Sequence, residues 1–296
     1  MLNAAVECDD ARKSRVLVLC GSASFAAMYV CVKLTSPTVS SFEVLFARSV
    51  LGAVLCFALL RHAGRSARWG SWKLNLMRAS FGFASIASQF VAMHEGGASL
   101  SMVSFLRHAA PVWMLLFAGP FLGEWPDRRA KLAVGVGLVG TLLALGPSGS
   151  GATWATALAA GAGLFAALAL LSVRKLTATD HPLTVVMFFM VFITVVTAPI
   201  VVWRWSQLGL AWSARDAALV GGSALLGTLG QLSITSAYRY GSAVSTAVSA
   251  LAEVVFTLLL AWTIAGDPLP PWTTFAGGSA ILAAGWIATR RKLHKA

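Results

Sequence analysis

Long apolar stretches alternate with short polar breaks along the whole chain. Each stretch is close to the ~20 residues that a helix needs to cross the hydrocarbon core of a bilayer. The pattern predicts ten transmembrane helices joined by short connections, with no soluble domain inserted between them. These predicted spans, numbered 1 to 10 in chain order, cover residues 16–35, 40–61, 72–94, 97–121, 130–147, 152–174, 182–203, 215–238, 241–264 and 271–290.

The composition supports an all-α membrane protein and excludes a soluble globular one. Hydrophobic residues make up 57% of the chain and charged residues only 11%, whereas about a quarter of a soluble domain is charged. The four cysteines form no CxxC pair and have no histidine cluster nearby, so neither a zinc site nor a disulfide framework is indicated. We expect no metal and no cofactor.

The Lys and Arg residues predict the orientation of the spans. With the N-terminus in the cytoplasm, 17 of the 23 lie in cytoplasmic segments, and only Lys33, Arg204 and Arg215 lie outside. This bias predicts that both termini are cytoplasmic and that the number of spans is even. The net charge of +12 then favours anionic lipid headgroups as partners, not nucleic acid. Residues 1–14 and 291–296 are expected to be cytoplasmic tails, the first of them disordered.

An internal repeat divides the chain into two halves. The tripeptide KLT occurs at 33–35 and at 175–177, and Gln89 precedes Gln231 by the same 142 residues. GSASFAA (21–27) is similar to GAGLFAA (161–167), and FLGEWP (121–126) to IAGDPL (264–269). We therefore expect two five-helix units, 15–148 and 149–290. Because five is odd, the second unit must be inverted in the membrane, a common transporter design with the substrate site between the halves.

Four longer segments resemble a known family. FARSVLG in span 2, LMRASFGF in span 3, RHAAPVWMLLFAGPFLGE in span 4 and LAEVVFTLLLAWTIAGD in span 9 are similar to EamA-type members of the drug/metabolite transporter superfamily. The resemblance extends over nearly the whole chain, but Val254 stands where many members have proline, and Asp267 replaces a terminal glutamate. It implies a small-molecule carrier, commonly an exporter, whose central cavity is lined chiefly by spans 1, 3, 4, 6, 8 and 9.

Polar side chains inside the spans are the candidates for substrate binding, because in a membrane they must face protein or water. Span 9 places Ser249 and Glu253 on one stripe, span 8 contributes a second stripe and span 3 contributes Gln89. The alternative for each Ser or Thr is a hydrogen bond between packed helices, which is the commoner role. The candidates of span 8 are Gln231, Thr235 and Tyr238.

Glu253 is the acid nearest the middle of a span, where a charge costs ~2.5–3.5 kcal/mol to insert. It can bind a cationic group of the substrate or carry a coupling proton. The alternative is a fixed ion pair with Arg107 or His108, which lie at a similar depth in span 4.

Arg107 and His108 are neighbours in sequence, so in a continuous helix they point about 100° apart and should not face the same spot. Either can meet a carboxylate or phosphate of the substrate, and His108 is a second candidate for proton coupling. We expect Pro111 to bend span 4 and free a carbonyl towards the cavity, and Trp113 to supply an aromatic wall.

The remaining charged residues of the spans are expected to be structural. Arg78 lies near the cytoplasmic end of span 3, where its side chain can reach the interface. Arg48 is deeper and needs a partner, for which Glu43 is imperfectly placed. At the span ends, Glu95 is either an entrance gate or solvated, and two further acids are end-caps or latches between helices, namely Glu124 and Asp267.

One motif is misleading. GVGLVG (135–140) satisfies the dinucleotide-binding pattern GxGxxG, but it lies inside span 5 with no preceding strand. Its small residues instead predict close helix packing, as do those of GGSAILAAG (277–285) in the matching span 10.

These observations predict a secondary carrier in the cytoplasmic membrane of a bacterium, moving a small polar metabolite by alternating access. An exported, amino-acid-like solute with charges of both signs is favoured, with proton coupling, since no nucleotide-binding loop is present. Import or exchange of a nucleoside-type or cationic metabolite is the alternative, and an intramembrane enzyme or a channel is a more distant one. No catalytic residues are assigned, and a homodimer is left open.

Overall fold

The computed structural model describes residues 2–64, 70–97, 103, 106–108, 110–145, 153–209, 212–266 and 272–289. Within these ranges all regular structure is helical. The helices with full bounds are α1 (Leu2–Lys33), α2 (Ser41–His62), α3 (Trp72–His94), α4 (Ala110–Leu122), α5 (Arg128–Leu145), α6 (Thr153–Leu176), α7 (Pro182–Leu208), α8 (Ala214–Tyr240), α9 (Ala243–Ser249), α10 (Ala252–Thr263) and α11 (Trp272–Thr289).

The helices follow the predicted spans in order, with α9 and α10 together occupying span 9 and α11 occupying span 10. Among the described residues, six helical runs are long and apolar enough to cross a membrane. Two further apolar helices are shorter, at Ala110–Leu122 and Phe275–Ala284. The protein is therefore an all-helical, multi-pass membrane protein. The six runs are Asp10–Lys33, Ser41–His62, Ala157–Leu176, Pro182–Leu208, Ala214–Tyr240 and Ala243–Thr263.

The N-terminal segment differs from the prediction. Instead of a disordered tail, α1 begins at Leu2 and continues into the first span. The segment AAVECDDARKSR contains no Gly or Pro and is rich in helix-forming Ala, Arg and Lys, so it can extend the helix that follows it. The basic tail 291–296 and Asp267 lie outside the described residues.

Equivalent helices of the two halves pack in opposite directions. Near the start of α2, Glu43 Oε2 lies 3.2 Å from Arg204 Nε near the end of α7, and further along the two helices Ser49 and Thr194 are hydrogen-bonded at 2.9 Å. The same reciprocity holds for other helices, because α1 packs on α8 as α6 packs on α3. In the repeat, α1 corresponds to α6 and α3 to α8, so the contact of α1 with α8 is equivalent to that of α6 with α3.

The two KLT segments end α1 and α6, and the loop after each one holds the start of a helix in the other half. After the first copy, Ser36 donates to Asp216 Oδ1 of α8 from its backbone N and its Oγ, at 2.9 and 2.8 Å. After the second, Asp180 Oδ2 accepts from Asn75 Nδ2 of α3 at 3.1 Å. These two contacts lie at opposite ends of the bundle. The hydrogen bond from Tyr29 to Gln89 shows that the end of α1 lies beside the end of α3. Ser36 follows the end of α1, whereas Asn75 is near the start of α3.

Two glycines of GVGLVG, Gly137 and Gly140, lie in a close helix contact of the kind that small residues predict. α5 lies against α11, and a Cβ added at Gly140 would come within 2.8 Å of the Gly277 carbonyl oxygen. At Gly137 an added Cβ would lie 3.4 Å from the Ala284 methyl. The absence of side chains at these positions allows the two helices to approach closely.

Candidate functional site

A cavity of about 870 Å³, open to solvent at one part, lies inside the helix bundle. Its wall is built from spans 1, 3, 4, 6, 8 and 9, with Phe189 of α7 added. The polar and charged residues of the wall are Tyr29, Arg78, Ser85, Gln89, Arg107, His108, Gln231, Tyr238 and Glu253.

Glu253 enters the cavity at an interruption of span 9. Between α9 and α10 the chain forms tight turns, in which Leu251 N donates to Val248 O at 3.1 Å and Glu253 N to Ala250 O at 3.0 Å. Such three-residue bonds replace the four-residue bonds of an α-helix. The interruption places Glu253 in the first turn of α10, where the positive end of the helix dipole stabilises a carboxylate.

Span 4 is interrupted at the equivalent place. Residues 106 and 107 are helical, His108 lies in a turn, and α4 begins at Ala110. Pro111 follows this interruption as the second residue of α4, and its expected role in bending span 4 and freeing a carbonyl stays a prediction. In the first turn of a helix the missing N–H of proline breaks no hydrogen bond.

Arg107, His108 and Glu253 form one charged cluster. Arg107 Nη1 donates to Glu253 Oε1 at 2.6 Å, and His108 Nε2 lies 3.6 Å from the same oxygen. The expectation that Arg107 and His108 could not face one spot is wrong, because the turn at His108 replaces a continuous helix. The Glu253 side chain is only 3% exposed and that of Arg107 is 20% exposed. The ion pair that sequence reasoning left open is thus present, and both members line the cavity.

The two glutamines related by the repeat both lie on the cavity wall. Gln89 Oε1 accepts from the Tyr29 hydroxyl at 2.7 Å, and its Nε2 donates to the Ser85 carbonyl at 3.0 Å. Gln231 Oε1 accepts from Arg78 Nη2 at 3.1 Å. The Gln89 amide is therefore held by neutral partners, whereas the Gln231 amide orients the guanidinium of Arg78.

The cavity brings together six of the nine predicted substrate-binding residues, including Tyr238, whose buried hydroxyl has no hydrogen-bond partner within the described residues. The other three lie away from the wall. Ser249 donates to the Ser245 carbonyl at 2.9 Å, Trp113 packs against the hydrophobic core, and Thr235 is buried. For these three, the structure places the side chain in helix packing.

Sequence reasoning missed Arg78 as a cavity residue. Its side chain is 3% exposed and lines the cavity, so it does not extend to the membrane surface as predicted. A signal in the sequence could have identified Arg78. Its spacing from three other cavity residues places all four on one face of α3, the others being Gly82, Ser85 and Gln89. Arg48 is also buried, and its expected neighbour Glu43 bonds to other residues.

Glu124 joins three helices at the end of α4. Its Oε1 accepts from Arg174 Nε of α6 at 2.7 Å, and its Oε2 from the backbone N of Ala243 at the start of α9, at 2.9 Å. Its predicted role as a latch between helices is confirmed. Glu95 accepts from the Ser41 hydroxyl at 3.0 Å and thereby connects the end of α3 to the start of α2.

A bundle of apolar helices around a buried, charged cavity defines a membrane protein of the solute-carrier type. The chain belongs to the EamA-like transporter family, which matches residues 13–146 and again residues 153–289. The two matched segments correspond to the two halves of the sequence repeat.

Two relatives, from Pseudomonas aeruginosa strains UCBPP-PA14 and PAO1, are each named pseudopaline exporter CntI. Each is 29% identical to this chain over 286 residues, which is 96% of this chain and 98% of the relative. Among solved structures, the crystal structure of a protein superimposes with a TM-score of 0.75 at 16% identity, covering 93% of this chain and 96% of that one. At that identity the similarity supports the fold alone.

Proposed function

We propose that this protein is a secondary transporter that exports a small polar organic metabolite by alternating access. The observation that carries the proposal is the buried Arg107–Glu253 pair on the wall of a cavity between the two halves. Membership of a transporter family and two relatives named as exporters of a metabolite support it. A solute with charges of both signs, such as an amino-acid-like molecule, matches a wall that offers both a carboxylate and guanidinium groups.

We place the protein in the cytoplasmic membrane of a bacterium, with ten spans and both termini in the cytoplasm. The excess of Lys and Arg in the segments assigned to the cytoplasm supports this orientation. The antiparallel packing of α2 on α7 supports inversion of the second half, because these are equivalent helices of the repeat.

The two KLT segments provide a direct test of this topology. In a variant whose native cysteines are replaced by serine, Lys33→Cys should react with a membrane-impermeant maleimide in intact cells. Lys175→Cys should react only after the membrane is opened. Reaction of both positions from the same side would contradict the inverted arrangement.

Glu253 is assigned the coupling proton. In the structure its carboxylate accepts a hydrogen bond from Arg107 at 2.6 Å, and this bond depends on the negative charge. Protonation of the carboxylate would weaken the ion pair and leave the guanidinium free to bind the solute. In the proposed cycle, the proton and the solute bind alternately at the cluster of Arg107, His108 and Glu253. The cluster faces first one side of the membrane and then the other.

Transport from proteoliposomes tests the function and the role of Glu253 together. Liposomes loaded with amino acids, nucleosides and polyamines would be sampled by mass spectrometry to find the class that wild-type protein releases. Glu253→Gln should lower the rate for that class severely, because an amide can neither carry the coupling proton nor form the ion pair with Arg107. Glu95→Gln, the same change in an exposed acid at a helix end, is the matched control and should retain activity.

Wild-type flux in Glu253→Gln would remove the carboxylate from the mechanism. Counterflow that saturates with solute concentration identifies a carrier, whereas a rate that rises linearly identifies a channel. A chemically altered solute would instead indicate an intramembrane enzyme.

A further inference from the structure

We propose that Arg78 binds an oxyanion group of the transported solute, a carboxylate or a phosphate, at a subsite separate from the Arg107–Glu253 pair. The inference rests on the proposed transport function and narrows its substrate class to molecules with an anionic head group. Three features of the cavity lead to it.

The first feature is an unsatisfied guanidinium on the cavity wall. Arg78 is 3% exposed, and among the described residues it donates one hydrogen bond, from Nη2 to the neutral amide of Gln231. Its Nε and Nη1 atoms have no hydrogen-bond partner in the part of the chain that the structure describes. A buried cation is costly unless it is paired. Because Arg78 lines the cavity, a bound oxyanion would supply the missing partner.

The second feature is the rigid environment of this guanidinium. The ring of Phe189 covers one face, with the Arg78 Cζ atom 3.6 Å from the ring centroid. Gly82, one turn further along α3, leaves room for the group, because a Cβ there would lie 2.7 Å from Arg78 Nη1. The stacking and the Gln231 bond fix the plane of the guanidinium, as oxyanion recognition by arginine requires.

A second buried arginine increases the positive charge at this end of the cavity. Arg48 is 1% exposed, and its Nη1 and Nη2 atoms have no hydrogen-bond partner among the described residues. It lies against α8 at Gly227, where an added Cβ would be 2.8 Å from its Nε. Gly227 is one helical turn, or about 6 Å, before Gln231. The two arginines therefore contact α8 about one helical turn apart, and the acid of α2, Glu43, is bonded to Arg204.

The third feature is the separation, along the α3 backbone, of two charged poles of the cavity. One pole is Arg78, and the other is the Arg107–Glu253 pair. Arg78 and Gln89 lie on the same face of α3, eleven residues or about 16 Å apart along the axis. Gln89 borders a small extension of the cavity together with Arg107 and Glu253. In a simple α-amino acid the ammonium and carboxylate groups are bonded to the same carbon, so the molecule would not reach both poles. The cavity therefore fits a longer solute, with an oxyanion beside Arg78 and a second polar group beside Glu253.

Three six-carbon probes that differ at a single terminus test the anion subsite. 6-Aminohexanoate carries a carboxylate, 6-aminohexyl phosphate carries a phosphate, and 1,6-diaminohexane carries a second ammonium group. The thermal stability of the purified, full-length protein in detergent would be measured against the concentration of each. We expect at least one anionic probe to stabilise wild type more than the diamine does, and the stronger of the two identifies the head group.

Variants assign that response to Arg78. Arg78→Gln should weaken the apparent affinity for the anionic probe roughly 10- to 100-fold, as expected for a lost charge-assisted hydrogen bond. Arg78→Lys, which keeps the charge but not the planar group, should lie in between. Arg61→Gln removes an exposed arginine at the end of α2 and should leave the response unchanged.

A gentler pair of variants covers the case in which Arg78→Gln does not fold. Gly82→Ala should weaken anion binding by crowding Nη1, while Gly135→Ala, where a Cβ meets open space, should not. Equal stabilisation by the diamine, or no stabilisation by either anion, would overturn the proposal. So would a wild-type response in Arg78→Gln or, if that variant does not fold, in Gly82→Ala. If liposomes release a solute at a rate that depends on Glu253 but not on Arg78, the transport function stands and the anion subsite falls.

Discussion

Removing both partners of the Arg107–Glu253 pair should destabilise the protein less than the sum of the two single removals. The two atoms that form the pair are 2.6 Å apart, and the carboxylate is almost completely buried. Two unit charges ~4 Å apart attract each other by about 4 kcal/mol at an effective dielectric constant of 20. Breaking a buried pair costs about 3–5 kcal/mol, because the remaining charge is left without a partner.

The two single variants should not be equivalent. In Glu253→Gln, the guanidinium of Arg107 remains 20% exposed towards the cavity, where water can solvate it. In Arg107→Met, the buried carboxylate keeps the His108 imidazole 3.6 Å away but loses its arginine. We therefore expect a cost of about 3 kcal/mol for Arg107→Met and a smaller one for Glu253→Gln. The double variant should recover about 2 kcal/mol of the summed costs.

The free energy of unfolding can be measured by titrating SDS into dodecyl maltoside micelles and following tryptophan fluorescence. Arg174→Met and Glu124→Gln provide a control cycle, because both side chains of their ion pair, at 2.7 Å, are partly exposed, at 28% and 29%. Its coupling should be below about 1 kcal/mol. If the Arg107–Glu253 coupling is no larger than that of the control, burial does not strengthen the pair, and the reasoning fails.

Two further predictions concern helix packing and the ends of the bundle. Gly140→Ala should lower the free energy of unfolding by about 1–3 kcal/mol through overpacking against α11, whereas Gly135→Ala, with open space around it, should be neutral or slightly stabilising by the same measurement. Asp216→Asn and Asp180→Asn each weaken the contact of a KLT loop at one end of the bundle. Each should speed maleimide labelling of an Ala169→Cys variant in the cavity wall severalfold, from its own side of the membrane and not from the other.

The positions of the helices were predictable because they depend on local sequence. Span 3 was predicted at 72–94, which is where α3 lies, since polar residues bound a run of apolar ones. The interruptions in spans 4 and 9 were not predictable in this way. The apolar pattern continues through Ala250 and Leu251, and the change is in the backbone hydrogen bonds, which leave no periodic trace in the side chains.

The cavity was partly predictable for a related reason. A carboxylate or an amide inside a span has few stable environments other than an internal polar site, so Glu253 and Gln231 were expected on the wall where they are found. Arg78 was not, because an arginine near a helix end can equally extend to the interface. Its actual position depends on Gly82 and on Phe189 of the other half, and that contact is set by tertiary packing.

The buried positions of Arg48 and Arg78 have an electrical consequence. Both are positive charges buried inside the protein, on helices that the sequence predicts to span the membrane. Moving one elementary charge through a potential of 100 mV changes its energy by about 2.3 kcal/mol. Any step that displaces α2 or α3 along the membrane normal therefore performs electrical work. An anion bound beside Arg78 would cancel part of that work, so voltage should act more strongly on the empty protein than on the loaded one.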